Sequence, residues 1–149
     1  MGGEDHLKRM KTVDDALMKG DMETFSNLHA PDTIVHWPGR PEPTRGRAAH
    51  QEELMQMGKA FPDMTVQNDP YPVGLAQGEY MCFVSRLRGT FRGPMPGPDG
   101  KLIQPNGKTF DIPFSTIARW KNGMIAEEWL FYDNLDLMMQ LGLMPSGGG

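Results

Sequence analysis

Asp133 closes the run EEWLFYD and precedes NLDLMMQLG. Side chains alternate along a strand, so Glu127, Trp129, Phe131 and Asp133 share one face. A carboxylate among aromatic rings is costly to bury as an ion. Desolvation raises its pKa and makes it a stronger base. The chemistry that uses such a group is proton abstraction beside a carbonyl, with the proton returned to a product oxygen. The competing reading is a helix cap. Asp is among the best N-caps, but Asn134 caps as well and would leave Asp133 free to point inward. His36 follows a β-branched pair and precedes Trp37-Pro38. It reads either as a second polar group in a pocket, donating to a substrate oxygen or pairing with Asp133, or as a strand-end histidine bonded to backbone.

Arg86 and Arg88 share one face of a long strand. If that face is interior, a guanidinium could orient a carboxylate through a charge-assisted bond; otherwise both face solvent. Glu127 has the parity of Asp133, with Arg86 or Arg119 as an alternative partner. Trp37, Phe114, Trp129 and Phe131 are expected in a pocket wall or the core. His6, His29 and His50 read as helix-surface residues. No two histidines stand at i, i+4 and no Cys/His cluster occurs in the sequence, so neither a metal site nor a cofactor is expected. No glycine-rich loop follows a strand and opens a helix, and no nucleophile elbow appears.

The elements that must position these groups follow from periodicity and breakers. Leu7, Met10, Val13, Leu17 and Met18 recur at helical spacing between Asp5 and Lys19. Gly20 stops that helix and Asp21 caps a shorter one through Leu28. A brief strand is predicted over Thr33–Trp37, then a Pro/Gly loop, then a helix over Ala48–Ala60 ended by Pro62. From Met64 the pattern turns to strands. The longest, Glu79–Phe91, carries Met81, Phe83, Ser85 and Leu87 on one face and Cys82, Val84, Arg86 and Arg88 on the other. The segment Arg92–Lys108 is dense in Gly and Pro and is expected to form an irregular, mobile loop at a pocket mouth. TFDIPFSTIARW and MIAEEWLFYD, joined by KNG, read as a hairpin, and NLDLMMQLG as a closing helix. Helices first and strands afterwards describe an α+β fold.

The 149 residues fit one domain over 1–142, with SGGG closing a flexible tail over 143–149. The net charge of −4 leaves no basic footprint for nucleic acid. One cysteine suits a reducing, cytoplasmic setting; no secretory leader and no bilayer-length apolar run are read. Thirteen methionines would make an adaptable apolar pocket.

The succession GDMETFSNLHAPDTIVH, AFPD, GTF and NGMIAEEWLFYDNLDLMMQLG resembles the SnoaL-like polyketide cyclases of the nuclear transport factor 2-like superfamily, over about Asp5 to Gly142. The resemblance implies a cone: a curved antiparallel sheet packed against N-terminal helices, enclosing a small, apolar, carbonyl- or hydroxyl-bearing ligand. It implies cofactor-independent acid/base closure of an intramolecular aldol by an Asp at the end of the last strand, where Asp133 follows Glu127 and Trp129. The family often carries a His on the neighbouring strand; PFSTIARW offers Ser115, Thr116 and Arg119 instead. The superfamily also implies alternatives: an epoxide hydrolase using Asp133 with Arg86 or Arg88, a ketosteroid-isomerase-like enzyme, or a binder without turnover. A homodimer through the outer sheet face is the implied assembly.

Overall fold

The computed structural model describes residues 3–144, so most of the tail expected over 143–149 lies outside the described residues. Two helices open the chain, α1 (Gly3–Lys19) and α2 (Met22–Asn27). Gly20 turns between them at φ 76°, which a side chain rarely adopts. The Asp21 carboxylate caps α2 by accepting from the Thr24 amide at 3.1 Å. Strands β1 (His29–His36) and β2 (Thr44–Arg45) precede α3 (Arg47–Ala60). Then come β3 (Thr65–Val66), β4 (Val73–Gln77), β5 (Tyr80–Thr90), the short pair β6 (Met95–Pro96) and β7 (Leu102–Ile103), β8 (Thr109–Lys121), β9 (Met124–Phe131) and α4 (Asn134–Gln140).

The main sheet runs β2-β1-β9-β8-β5-β3, with β4 also on β5. Every pairing in it is antiparallel except β1 on β9, which is parallel. The concave face receives the helices. Phe83 and Leu87 of β5, Phe110 and Ile112 of β8, and Met10 and Val13 of α1 meet there, all buried. Burying side chains of this size stabilises the fold by about 1.5–3 kcal/mol each. The parity read for β5 holds, with Met81, Phe83, Ser85 and Leu87 inside. Arg86 and Arg88 face outward. Both grip Asp111, Arg86 Nε donating to Oδ1 at 2.6 Å and Arg88 Nε to Oδ2 at 3.0 Å. They are therefore not pocket residues.

The phase of β9 is set by a bulge. Arg119 pairs with Glu127 while Trp120 pairs with Ile125, leaving Ala126 as the extra residue. Ile125 is buried, yet beyond the bulge the inward residues are Glu128 and Leu130, not Glu127 and Trp129. One inserted residue moves every following side chain to the other face.

Residues 92–108 are not wholly irregular. They contain the β6–β7 hairpin, paired at Met95–Ile103 and Pro96–Leu102. Its base is tied to the end of α3, where the Arg92 and Gly93 amides donate to the Ala60 carbonyl at 2.9 and 3.2 Å. A Cβ on Gly93 would stand 2.0 Å from the Lys59 carbonyl oxygen, so only glycine permits this approach. Among the described residues, no helix is long and apolar enough to cross a membrane.

Candidate functional site

Inside the cone lies a cavity of about 80 Å³, enclosed by α1, α3, α4 and the concave sheet face. Its wall is mostly apolar, with Met10, Phe25, Phe61, Phe114 and Leu130 among its side chains. It leads outward past Trp37, Met57 and Tyr132, which also line a groove of about 610 Å³ under the β6–β7 hairpin. The segment expected at a mouth therefore sits at one, as a hairpin.

Ionisable groups reach this apolar space from four elements. Asp14 comes from α1 and is buried. Burial pushes its pKa from 3.8 up to about 7; the Tyr71 hydroxyl, donating to Oδ2 at 2.5 Å, only partly opposes that rise. With Oδ2 occupied, Oδ1 is the oxygen left for a ligand in the cavity. The Tyr71 hydroxyl is itself pushed upward by burial and by the Asp14 carboxylate, so it stays a proton donor.

The second group is a cluster of His29, His50 and Glu128. His29 opens β1, Glu128 lies on the neighbouring β9 and His50 comes from α3. All three line the cavity and none exceeds 4% exposure. His29 Nδ1 donates to the Phe25 carbonyl at 2.7 Å and Nε2 faces Glu128 Oε1 at 3.1 Å. His50 Nε2 faces the same Oε1 at 3.2 Å, and its Nδ1 faces Glu53 Oε1 at 3.4 Å. Burial alone would lower the His50 pKa, but the two carboxylates outweigh it and hold the ring protonated, with a pKa of about 9. Glu128 is held well below the usual carboxylate range: desolvation opposes ionisation, and hydrogen bonds from His29 and His50 overcome it. Glu53 continues the network outward. It accepts from Trp37 Nε1 at 3.1 Å, Thr44 Oγ1 at 2.8 Å and Arg40 Nη1 at 2.6 Å. These donors and His50 prevail over partial burial and set its pKa at about 2.

The residues expected from the sequence divide between the two faces. Trp37 and Phe114 line the inner cavity, and Thr116 joins them from β8. Glu127, Trp129, Phe131 and Asp133 do not. Asp133 is exposed and is the N-cap of α4, its Oδ1 accepting from the Asp136 amide at 3.0 Å. The shared face read for Glu127, Trp129 and Phe131 is real, but it is the convex one. His36 joins them there: its Nε2 lies 2.6 Å from Glu127 Oε2 and its ring stacks on Trp129, centroids 5.3 Å apart. The three histidines read as surface residues are all buried. His6 Nε2 contacts the Gly78 carbonyl at 3.0 Å, while His29 and His50 form the cluster. No spacing rule could find that cluster, because its members are 21 and 78 residues apart along the chain and meet only through the β1–β9 pairing and the return of α3. The sequence signal of Asp14 is a carboxylate beside Val13, at helical spacing from Met10 and Leu17 on the apolar stripe of α1.

The family model for SnoaL-like polyketide cyclases matches residues 8–141. IdmH from Streptomyces antibioticus, described as a candidate polyketide cyclase, is 27% identical, with 91% of this chain and 96% of that chain covered and a TM-score of 0.75. TsrD from Streptomyces laurentii is 19% identical over 97% and 99% of the two chains, TM-score 0.80. AclR from Streptomyces galilaeus, described as a candidate hydroxylase, is 17% identical over 97% and 100%, also at 0.80. The last two show the shared fold alone. A search of curated protein sequences finds no match. With the cone, its cavity and a family match over nearly the whole described length, the chain belongs to the SnoaL-like polyketide cyclase family.

Proposed function

We propose that the protein catalyses acid/base chemistry on an apolar, carbonyl-bearing small molecule, with Asp14 in the role first read for Asp133. The observation that carries this reading is a buried carboxyl on the wall of an otherwise apolar cavity, one oxygen held by Tyr71 and its pKa near neutrality. A group balanced there both takes and returns a proton at working pH. Asp14 removes a proton from the carbon next to a carbonyl, and the electron pair of that C–H bond becomes an enolate. The enolate carbon attacks a second carbonyl of the same molecule and forms the C–C bond. The resulting alkoxide takes the proton back from Asp14, so the product is an isomer of the substrate. The inner cavity takes the reacting end and the larger groove under the hairpin takes the rest. Thr116 and Tyr132 supply hydroxyls along the wall. The Tyr132 phenol is pushed upward by burial and remains a donor.

The convex sheet face presents Leu75, Tyr80, Val84 and Phe131 to solvent. An apolar patch on a sheet suits a second copy of the chain, so we place the homodimer contact there. His36, Glu127 and Trp129 belong to that face and not to the chemistry.

The first step is tested without the natural substrate. Deuterium exchange of the methyl protons of acetophenone, followed by NMR in D₂O, should be accelerated by the wild type and not by Asp14→Asn. Equal exchange with both proteins removes Asp14 as the base. A binder without turnover would show line broadening of the ketone but no exchange.

A further inference from the structure

We propose that His29, His50 and Glu128 form a site for one divalent first-row transition-metal ion of the zinc type, opening on the inner cavity. The inference does not rest on the acid/base reading of Asp14. It begins with the way His29 is held. Its Nδ1 donates to the Phe25 carbonyl. That leaves Nε2, 3.1 Å from Glu128 Oε1, as the nitrogen a metal would use. His50 Nε2 points at the same oxygen from 3.2 Å. Two imidazole nitrogens and a carboxylate oxygen thus converge in a water-poor site, and positive charge must lie among them. Protons can supply it, and so can one metal ion.

The spacing admits an ion. Ligand atoms 2.0–2.2 Å from a metal stand about 2.9–3.5 Å from one another in octahedral or tetrahedral geometry. Both measured nitrogen–oxygen edges fall within that span, and all three ligand atoms lie within 4.8 Å of one another. The outer contacts are those a metal-binding histidine uses. Each ring gives its far nitrogen to a fixed acceptor, Phe25 O for His29 and Glu53 for His50. Glu53 is in turn fixed by Trp37, Thr44 and Arg40. Three protein ligands leave at least one position open toward the cavity, the arrangement of a catalytic rather than a structural site. An ion there would polarise a substrate oxygen or a bound water.

The test uses the full chain, stripped with a chelator and titrated with cobalt(II) and zinc chloride. Saturable binding of one equivalent is expected, with visible cobalt d–d bands and a rise in melting temperature. Glu53→Gln, which leaves all three ligands in place, should weaken binding about 10–100-fold. Because removing a ligand can unfold the core, the deciding measurement is X-ray absorption on the zinc-loaded wild type, where two imidazole ligands are expected. No saturable uptake, fewer than two imidazoles, or Glu53→Gln binding unchanged would each overturn the site and leave a proton-held cluster.

Discussion

Asp14→Asn separates the energetic cost of Asp14 from its use. Asn keeps an acceptor for the Tyr71 hydroxyl and removes the charge. In the wild type the folded pKa, about 7, lies above the 3.8 of an ordinary Asp. The folded state therefore binds more protons than the unfolded chain across that interval, and stability falls as pH rises. Below about pH 4 both states are protonated and the carboxyl costs nothing through ionisation. Above pH 7 the full penalty of a buried anion applies. At 1.36 kcal/mol per pH unit it comes to about 4 kcal/mol, as an upper bound. Asp14 is only 7% exposed, so solvent screening removes little of it. Urea unfolding at pH 4, 6 and 8 measures the effect. The variant should match the wild type at pH 4 and exceed it by several kcal/mol at pH 8, while ketone exchange falls by about 10²–10⁴-fold. A stability difference that does not change with pH would refute the raised pKa. A variant that is more stable and equally active would refute catalysis by Asp14 while leaving the pKa intact.

Asp133→Asn should be nearly silent in stability and exchange, since Asn caps as Asp does, whereas Asp133→Ala should lose about 1 kcal/mol in thermal melts with exchange intact. Phe131→Glu on the convex face should shift light scattering from dimer to monomer without changing exchange; an unchanged mass would place the contact elsewhere. Gly93→Ala forces a Cβ against the Lys59 carbonyl and should cost about 1–3 kcal/mol in urea unfolding. It should also speed amide hydrogen exchange across residues 94–104.

The helices, the long strand and the final hairpin were legible because each is carried by local signals: period 3.6 in α1, Asp21 as a cap, alternation in β5, Asn122-Gly123 at the turn. The face of β9 was not. Hydrophobicity names the inward face only when the other face is polar, and here both are apolar. Trp129 and Phe131 look like core, and Ile125, which is core, has their parity. Only the extra residue at Ala126 breaks that inference, and a bulge leaves no mark in composition. The same shift exchanged the two glutamates. Glu127 went outward to His36, and Glu128 went inward to His29 and His50, two of the three histidines that read as surface residues.

That exchange explains why the site is built as it is. Glu128 is inward-facing among Phe25, Leu130 and Phe114, surroundings in which a lone carboxylate would protonate or force the strand to slip. His29 and His50 make the buried charge tolerable, and Glu53, reaching in from the mouth with Arg40, anchors His50 from its other side. Removing one partner of such a set leaves an uncompensated buried charge, typically at a cost of 3–5 kcal/mol. Replacing such a buried set by well-packed Leu or Met is often neutral or stabilising. Stability alone thus gives no reason to hold two carboxylates and two imidazoles around the cavity of a methionine-rich cone. On the function proposed above the reason lies in what the cavity takes in, and the zinc and ketone experiments ask that question from the two polar walls.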